Sequence, residues 1–233
     1  MKTIALALVI SLFAGCATAK PASAGLALKN FQFTFDTAEE RPKPVLEPRG
    51  ATDKHYIPVI PLYGEVTEES VDDAIELLNQ AEKAHVDGVI IDIDSPGGSV
   101  WDGMRLIRKI ESFPAPTTCF ASGDAISMAY ATLQTCTSRA MLRRGVAMAH
   151  SVQAGAMMRG NPEDWEAMAE MLRVVNKALA EHCSAKMLIT TEYYLSRTRG
   201  GAQWWMNWDD ALHFGAVDKV YDTAKQLFTE LRS

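Results

Sequence analysis

Three short stretches of the sequence carry residue types that could perform hydrolysis. The turn Ser95–Gly98 follows an apolar run, and its two glycines would let main-chain N–H groups approach a ligand closely. Ser127 stands at the predicted start of a helix, where a serine usually caps the helix but can also act as a nucleophile. His150 ends a short apolar run, where a histidine is ordinarily a packed or surface residue and can also be a general base. In combination, a serine, a base and main-chain donors would suit acyl transfer.

The elements that must position these stretches alternate between strands and helices along the chain, which predicts an α/β fold. Strands are predicted at Tyr56–Tyr63, Val89–Ile93, Thr117–Ala121, Arg139–Leu142 and Val146–Ala149. Helices are predicted after the capping residues Thr67 and Asn161, from Val100, over Met128–Cys136, and near Trp208–Phe214 before Gly215. Each of the three chemically interesting stretches therefore follows a predicted strand.

The order of these stretches resembles the proteolytic subunit of the Clp protease, from about Tyr56 to Val220. A Pro-Gly-Gly turn comes first, then Gly-x-x-x-Ser-Met, then Met-x-His, and Ala211–Val220 is also similar to the family. The resemblance implies a ClpP/crotonase-like fold of repeated β-β-α units with a protruding long helix, here from Pro162 to about Leu188. It also implies a homo-oligomer, because the corresponding helix joins the rings of Clp-type proteins.

The resemblance implies a role for each residue of the candidate site. Ser127 matches the family's nucleophile, and His150 matches the general base that takes its proton. The main-chain N–H groups of Gly98 and Met128 match the oxyanion hole. These assignments agree with the chemistry, because a tetrahedral oxyanion requires preorganised donors and a serine requires an adjacent base.

The third member of the triad is where this sequence departs from the family. The family places an aspartate at the position that Gln203 occupies here, counting back from Ala211. The Gln203 side-chain oxygen can accept a hydrogen bond from His150, but a neutral amide would stabilise an imidazolium less than a carboxylate does. Other candidates for this role follow shortly in the sequence: Asn207, Asp209 and Asp210. Their composition is equally typical of a helix cap and its first turn.

The N-terminal segment has the pattern of an export signal. Residues 1–15 hold one lysine and then a 12-residue uncharged run, which is too short to span a bilayer and is typical of a secretory signal. The run ends at Cys16 in a sequence that resembles the bacterial lipoprotein box, so we expect lipidation there; an ordinary signal cleaved near Ala17–Ala19 is the alternative. Either alternative predicts an exported protein, periplasmic or at the cell surface, and lipidation would anchor it to a bacterial membrane. We expect a tether and N-terminal arm over 16–54, the catalytic domain over 55–225 and a C-terminal tail over 226–233.

The remaining cysteines allow at most one internal disulfide. After Cys16 these are Cys119, Cys136 and Cys183. Cys136 lies nine residues after Ser127 in the predicted helix, about 13 Å along its axis at 1.5 Å per residue. A disulfide needs Cα atoms within about 7 Å, so helix geometry predicts that Cys119 and Cys136 are not bonded.

Composition and charge exclude several classes of protein. A hydrophobic content of 48% is too high for a disordered chain. With Lys+Arg at 23, Asp+Glu at 29 and a net charge of −6, the chain is not of the basic type that binds nucleic acid. We expect no cofactor and no metal, because Asp92 and Asp94 lack the further ligands that would complete a site.

The favoured hypothesis is an exported, ATP-independent serine endopeptidase that acts on peptides or unfolded protein. Met157 and Met158 are predicted to contribute to an adaptable apolar substrate groove. One alternative is a catalytically inactive binding or assembly protein with the same fold. Another is a crotonase-like enzyme acting on acyl-CoA, whose relatives use carboxylates as acid and base.

Overall fold

The computed structural model describes residues 43–46, 56–154 and 160–231. The predicted signal sequence 1–15, Cys16, most of the predicted arm, and Met157 and Met158 lie outside these ranges. Within the described ranges, no helix has both the length and the apolar character needed to cross a membrane.

The described chain alternates strands with helices, as the sequence predicts. The strands are β1 (Val59–Val66), β2 (Val89–Gly98), β3 (Thr117–Ile126), β4 (Ser138–Leu142), β5 (Val146–Ala149), β6 (Trp204–Met206) and β7 (Lys219–Tyr221). The helices are α1 (Glu68–Lys83), α2 (Val100–Glu111), α3 (Met128–Leu133), α4 (Pro162–Ser184), α5 (Thr191–Thr198), α6 (Trp208–His213) and α7 (Ala224–Leu231). A 3₁₀ turn, Arg199–Gly201, follows α5.

The strands form one mostly parallel sheet in the order β1-β2-β3-β4-β7. β3 has two different neighbours on its far side, because Thr118–Ala121 pair with β4 and Asp124–Ile126 pair with β5. β6 then pairs antiparallel with β5 at the margin of the sheet. The predicted α/β fold is confirmed, and the division of β3 brings β5 beside the carboxyl end of that strand.

The core lies on both faces of the sheet. Val89–Ile93 are buried without alternation, which is typical of a parallel strand covered on both sides. Ile91 and Ile93 face the larger apolar cluster with α1, α2 and α3, while Ile90 faces a smaller one with Leu227 of α7. The residues predicted as a C-terminal tail therefore include a helix that packs on the sheet.

Several elements end at positions different from those predicted. β2 and β3 extend to Gly98 and Ile126, because strand pairing continues through Ser95↔Ala125 and Val66↔Gly98. α4 ends at Ser184 rather than near Leu188. The chain turns there and buries Met187, and the Leu188 N–H donates to the Phe214 carbonyl at 2.8 Å.

The expectation that Cys119 and Cys136 are not bonded is wrong. They form a disulfide, with their Cα atoms 5.4 Å apart. The helix predicted over Met128–Cys136 ends at Leu133, so Cys136 lies just past α3, and Cys119 is itself eight residues before Ser127 on β3. The chain turns at Ser127, and α3 then runs back along β3. Cys136 therefore comes closer to Cys119 as it moves away from Ser127. Cys183 is a free, buried thiol.

Candidate active site

Ser127 occupies a sharp turn between β3 and α3. Its backbone has φ 58° and ψ −117°, a conformation that is sparsely populated for a residue with a side chain. The side chain makes no capping hydrogen bond to α3. Its Oγ instead lies 2.6 Å from the Nε2 atom of His150. Ser127 therefore does not act as a helix-capping side chain in this structure.

The pairing of β5 with β3 places His150 beside Ser127. Ile126 is in register with Met148, and the Ser127 N–H donates to the Met148 carbonyl at 2.8 Å. His150 follows two residues later, at the same edge of the sheet. Because residues 127 and 150 come from neighbouring parallel strands, their side chains meet although 23 positions separate them.

Burial sets the protonation of His150. Desolvation lowers the pKa of the imidazole below its usual value. The nearby main chain of Ser151 opposes this shift, although its distance and angle to Nδ1 are outside those of a hydrogen bond. A lowered pKa keeps the ring neutral over more of the pH range around 7. A neutral ring whose Nε2 accepts from the Ser127 hydroxyl carries its own hydrogen on Nδ1. The pair is thus in the state that a general base needs.

The Nδ1 atom of His150 is buried and has no hydrogen-bond partner within the part of the chain that the structure describes. The expected bond from His150 to Gln203 is not formed, because the Gln203 Oε1 accepts from Trp205 Nε1 at 3.2 Å. An unpaired buried donor costs on the order of 1–3 kcal/mol. The ring therefore lacks the acceptor that would fix its orientation in a complete triad.

The strand register nevertheless points position 203 towards position 150. The last pair of the β5–β6 ladder is Ala149↔Trp204, and a continuation of the same register by one step would set His150 against Gln203. Directly opposed residues of an antiparallel pair lie on one face, with Cβ atoms about 4.5–5.5 Å apart.

The other candidates for this role are used elsewhere. The Asn207 side chain accepts hydrogen bonds from the N–H groups of Asp209 and Asp210 at 2.8 and 3.0 Å. The Asp210 side chain accepts in return from the Asn207 N–H, which completes a capping box at the start of α6. The cap interpretation of these three residues is confirmed.

Gly97 packs directly against the turn that carries Ser127, and Gly98 packs against the end of β1. A Cβ atom on Gly97 would lie 2.5 Å from the Ile126 carbonyl oxygen and 2.9 Å from the Met128 nitrogen. A Cβ on Gly98 would lie 2.3 Å from the Val66 carbonyl oxygen, and both glycines have positive φ. Met128 begins α3, so its N–H has no acceptor within the helix. This arrangement can present main-chain donors to a developing oxyanion.

A small cavity of about 120 Å³ opens in front of the Ser127–His150 pair. Its lining is mainly apolar and includes Gly98, Val100, Met128, Val152, Leu179 and Tyr194. It adjoins a groove of about 460 Å³ that shares part of this lining and adds Trp101, Met168 and Met171. The Trp101 side chain is 58% exposed, although it is large and apolar. The groove can receive an extended chain with apolar side chains.

Sequence reasoning missed two contributors to this region. The Asn176 side chain of α4 accepts a hydrogen bond from the Val152 N–H at 2.6 Å, which fixes the segment just after His150. Trp101 borders the groove through the placement of α2 beside Gly98. No spacing signal indicates either contact, because each joins elements that are distant along the chain.

Acidic residues near the end of β2 accept hydrogen bonds from neighbouring protein groups. Asp92 accepts a hydrogen bond from the Tyr63 hydroxyl at 2.6 Å, and Asp94 accepts from the Asp124 N–H at 3.0 Å. Over the described ranges, no group of three or more His, Cys, Asp or Glu side chains could hold a metal ion. A further cavity of about 300 Å³ near His182 and Lys186 is lined by residues other than the serine and histidine of this site.

Comparison with known proteins places the chain in a family. The ATP-dependent Clp protease proteolytic subunit 1 of Streptomyces avermitilis is 31% identical over 149 residues, which cover 63% of this chain and 66% of that protein. The protein of the same name from Protochlamydia amoebophila is 28% identical over 145 residues, which cover 60% of this chain and 68% of that protein. The chain thus spans about two thirds of the length of the curated relatives it matches. The Clp protease family model matches residues 56–224, most of the chain, so the chain belongs to the Clp protease family.

Proposed function

We propose that this protein is a serine peptidase that hydrolyses peptide bonds with Ser127 and His150. The observation that carries the proposal is the 2.6 Å contact between Ser127 Oγ and His150 Nε2 at the mouth of an apolar cavity. Two further features support it: the sparsely populated backbone conformation of Ser127, and the pKa of His150, which burial lowers. Unusual backbone geometry and a shifted pKa often occur together at catalytic centres.

The reaction begins when Ser127 Oγ attacks the carbonyl carbon of the scissile peptide bond. His150 Nε2 takes the hydroxyl proton, and the carbonyl oxygen becomes an oxyanion that the N–H groups of Gly98 and Met128 stabilise. Collapse of this intermediate breaks the C–N bond, and the amine leaves with the proton from His150. A water molecule, deprotonated by His150, then releases the acyl group from Ser127 by the same steps.

Gln203 is the proposed partner of His150 Nδ1 during turnover. Its place opposite His150 in the β5–β6 register supports the assignment. An amide oxygen accepts the Nδ1 hydrogen but adds no negative charge, so it stabilises the imidazolium only weakly. We therefore expect slower turnover than a complete Ser-His-Asp triad would give.

The proposed substrates are short peptides or unfolded protein segments with apolar side chains. The groove with Trp101, Met168 and Met171 supports this, because methionine and aromatic side chains adapt to varied apolar partners. ATP-independent action follows from the proposed export, since an exported protein would not normally meet ATP or the unfoldases that use it.

Export and lipid attachment at Cys16 are part of the proposal. The Cys119–Cys136 disulfide supports export, because such bonds persist mainly in oxidising compartments. We also propose a homo-oligomer assembled through α4, which carries the exposed apolar residues Trp165, Met171 and Val174. The resulting protein would be a membrane-anchored assembly facing the periplasm or the cell surface.

Active-site labelling tests the catalytic proposal. The purified protein would be treated with a fluorophosphonate probe beside the Ser127→Ala and His150→Ala variants. Labelling of the wild type alone would support an activated serine. Absence of labelling in a folded, assembled protein would refute it. Lipid attachment is tested separately by labelled palmitate incorporation into the full chain, which a Cys16→Ala variant would lose, and export by fractionation of cells that produce the full chain.

One observation favours a second candidate, an inactive binding or assembly protein. The unpaired Nδ1 of His150 is the feature expected if the catalytic role had been lost. The acyl-CoA alternative has less support, since the described lining of the cavity at Ser127 contains no Asp or Glu that could serve as acid or base. Failure to label, with intact folding, would select the binding protein.

A further inference from the structure

A covalent bond closes the stretch of chain that carries the candidate nucleophile. Cys119 and Cys136 are joined by a disulfide and are 17 positions apart in the sequence. Ser127 lies eight residues after the first cysteine and nine before the second. The turn that presents the Ser127 hydroxyl and the Met128 N–H is therefore the far end of one closed loop.

The conformation of this turn depends on support from its surroundings. Ser127 is held at φ 58°, in a region that residues with side chains adopt only when neighbouring structure fixes them. α3, which follows, has only 6 residues, too few to be stable as an isolated helix. Within the loop, the hydroxyl of Thr132 donates to the Met128 carbonyl at 3.0 Å. The disulfide joins β3 to the segment just after α3, so it adds a covalent constraint across the turn and the helix that follows it.

Both ends of the disulfide are firmly anchored. Cys119 lies in β3, in register with Ile91 on one side and Arg139 on the other. On the other end, Lys186 Nζ donates to the carbonyl oxygens of Thr135 and Cys136 at 2.8 and 2.7 Å. Because both ends of the bond are held in place, the bond restrains the turn between them. The same bond between flexible ends would leave the turn free to move.

The disulfide is also shielded from solvent. The exposure of Cys119 and of Cys136 is 0% for each residue. Thiol–disulfide exchange requires a thiolate to reach one of the sulfur atoms, so reduction of the folded protein needs a local opening. The bond is therefore suited to a permanent constraint made during folding, and poorly suited to a rapidly reversible surface switch.

We propose that the Cys119–Cys136 disulfide is a positioning element of the active site. It keeps β3 and α3 in the arrangement that holds Ser127 Oγ beside His150 and directs the Met128 N–H to the cavity. The inference rests on the proposed function and deepens it, because full activity would then require oxidative folding. Reduction by a dithiol splits the S–S bond into two thiols and oxidises the dithiol to its own disulfide, with two electrons and two protons transferred.

The experiment compares two forms of the same full chain. One is folded under oxidising conditions, and the other is refolded in excess dithiothreitol and kept reduced. Alkylation and mass measurement of the unfolded forms would confirm two additional alkylated thiols in the reduced one. The readouts are the fluorophosphonate labelling rate, kcat and KM for a peptide substrate, and circular dichroism. No cavity is created, because the two forms differ only by two hydrogen atoms.

We expect kcat and the labelling rate to fall in the reduced form by about 10- to 100-fold, since small displacements of catalytic groups have effects of this size. KM should change far less, because much of the cavity wall lies outside the closed loop. A Cys119→Ala/Cys136→Ala variant should behave like the reduced form. Leu227→Ala, in the small cluster under α7, should lower stability while leaving the labelling rate unchanged below its unfolding temperature.

Equal kcat and equal labelling rates in the two forms would overturn the inference. So would the absence of the Cys119–Cys136 bond from protein folded under oxidising conditions. If neither form is labelled, the proposed function fails. Amide hydrogen exchange then tests separately whether the disulfide restrains the turn at Ser127. Faster exchange at Ser127–Ala129 in the reduced form would then support the constraint, and unchanged exchange would overturn it.

Discussion

Replacing Gln203 with aspartate should increase the activity of this protein. A one-step continuation of the β5–β6 ladder would set Gln203 opposite His150, and the Nδ1 atom of His150 is buried with no partner among the described residues. In the proposed mechanism His150 becomes positively charged in the transition state, and a carboxylate at position 203 would accept the Nδ1 hydrogen and face that charge. The side chain is one carbon shorter, which suits the Cβ separation of about 4.5–5.5 Å expected for opposed residues.

The size of the effect follows from the geometry. Two unit charges about 4 Å apart interact by roughly 4 kcal/mol at an effective dielectric constant of about 20. His150 is only partly buried, so solvent screening reduces this interaction. A remaining gain of about 1.4–2.8 kcal/mol corresponds to about a 10- to 100-fold increase in kcat.

The assay is peptide hydrolysis across pH, with Gln203→Asn as the matched neutral control. Gln203→Asp should raise kcat, whereas Gln203→Asn, which has the same length as aspartate, should not. The carboxylate should also raise the pKa of His150, which burial otherwise lowers. The acidic limb of the rate profile should therefore move to higher pH in Gln203→Asp alone.

Equal kcat values and equal pH profiles for the two folded variants would refute this reasoning. Such a result would mean that the side chain at position 203 does not face His150 in the working enzyme. The continuation of the β5–β6 register beyond Trp204 would then be the faulty step.

Four further predictions concern the same site. Ser127→Ala should abolish peptide hydrolysis, and Gln203→Ala should slow it only modestly, because the wild-type amide adds no charge; equal losses in kcat would contradict the role of a weak orienting residue. Gly97→Ala should abolish fluorophosphonate labelling and lower the melting temperature, because its Cβ would lie 2.5 Å from the Ile126 carbonyl oxygen, next to Ser127. Normal labelling would show that the turn at Ser127 can accommodate the added methyl group. The wild-type kcat/KM should rise with pH as His150 loses its proton, with a midpoint below the ordinary value of 6.5 because burial lowers the pKa; a midpoint above 6.5 would argue for a charged partner. Trp101→Ala should raise KM for peptides with large apolar side chains and leave small polar peptides unaffected, and a uniform change across both peptide sets would remove Trp101 from the substrate groove.

Local sequence signals predicted much of the fold. Thr67 and Asn161 begin α1 and α4 as expected, because a capping side chain needs only the N–H groups two or three residues ahead. Val89–Ile93 form a buried strand as expected, since a run that is apolar at every position but Asp92 is typical of a parallel strand covered on both faces. β6, β7, α5 and α7 were not predicted, because segments of three to eight residues carry too few periodic positions.

The candidate site was predictable in part. Ser127 and His150 could be named because each has a reactive side chain just after an apolar strand, in an order that resembles a known family. Their direct contact requires β5 to lie beside the end of β3, which is a property of the sheet. Gln203 could be named by counting along the chain, but its contact with Trp205 depends on a side-chain rotation that no sequence pattern encodes.

The sequence by itself determined the residue types, the caps and the alternation of strands and helices, because those depend on interactions over a few positions. Only the tertiary structure decided that α3 returns along β3 and brings Cys136 to Cys119. It likewise decided that Asn176 of α4 holds the segment after His150, and that His150 Nδ1 is left without a partner. These features arise where separate elements meet, and the packing of one element against another is governed by the whole core rather than by any short stretch of chain.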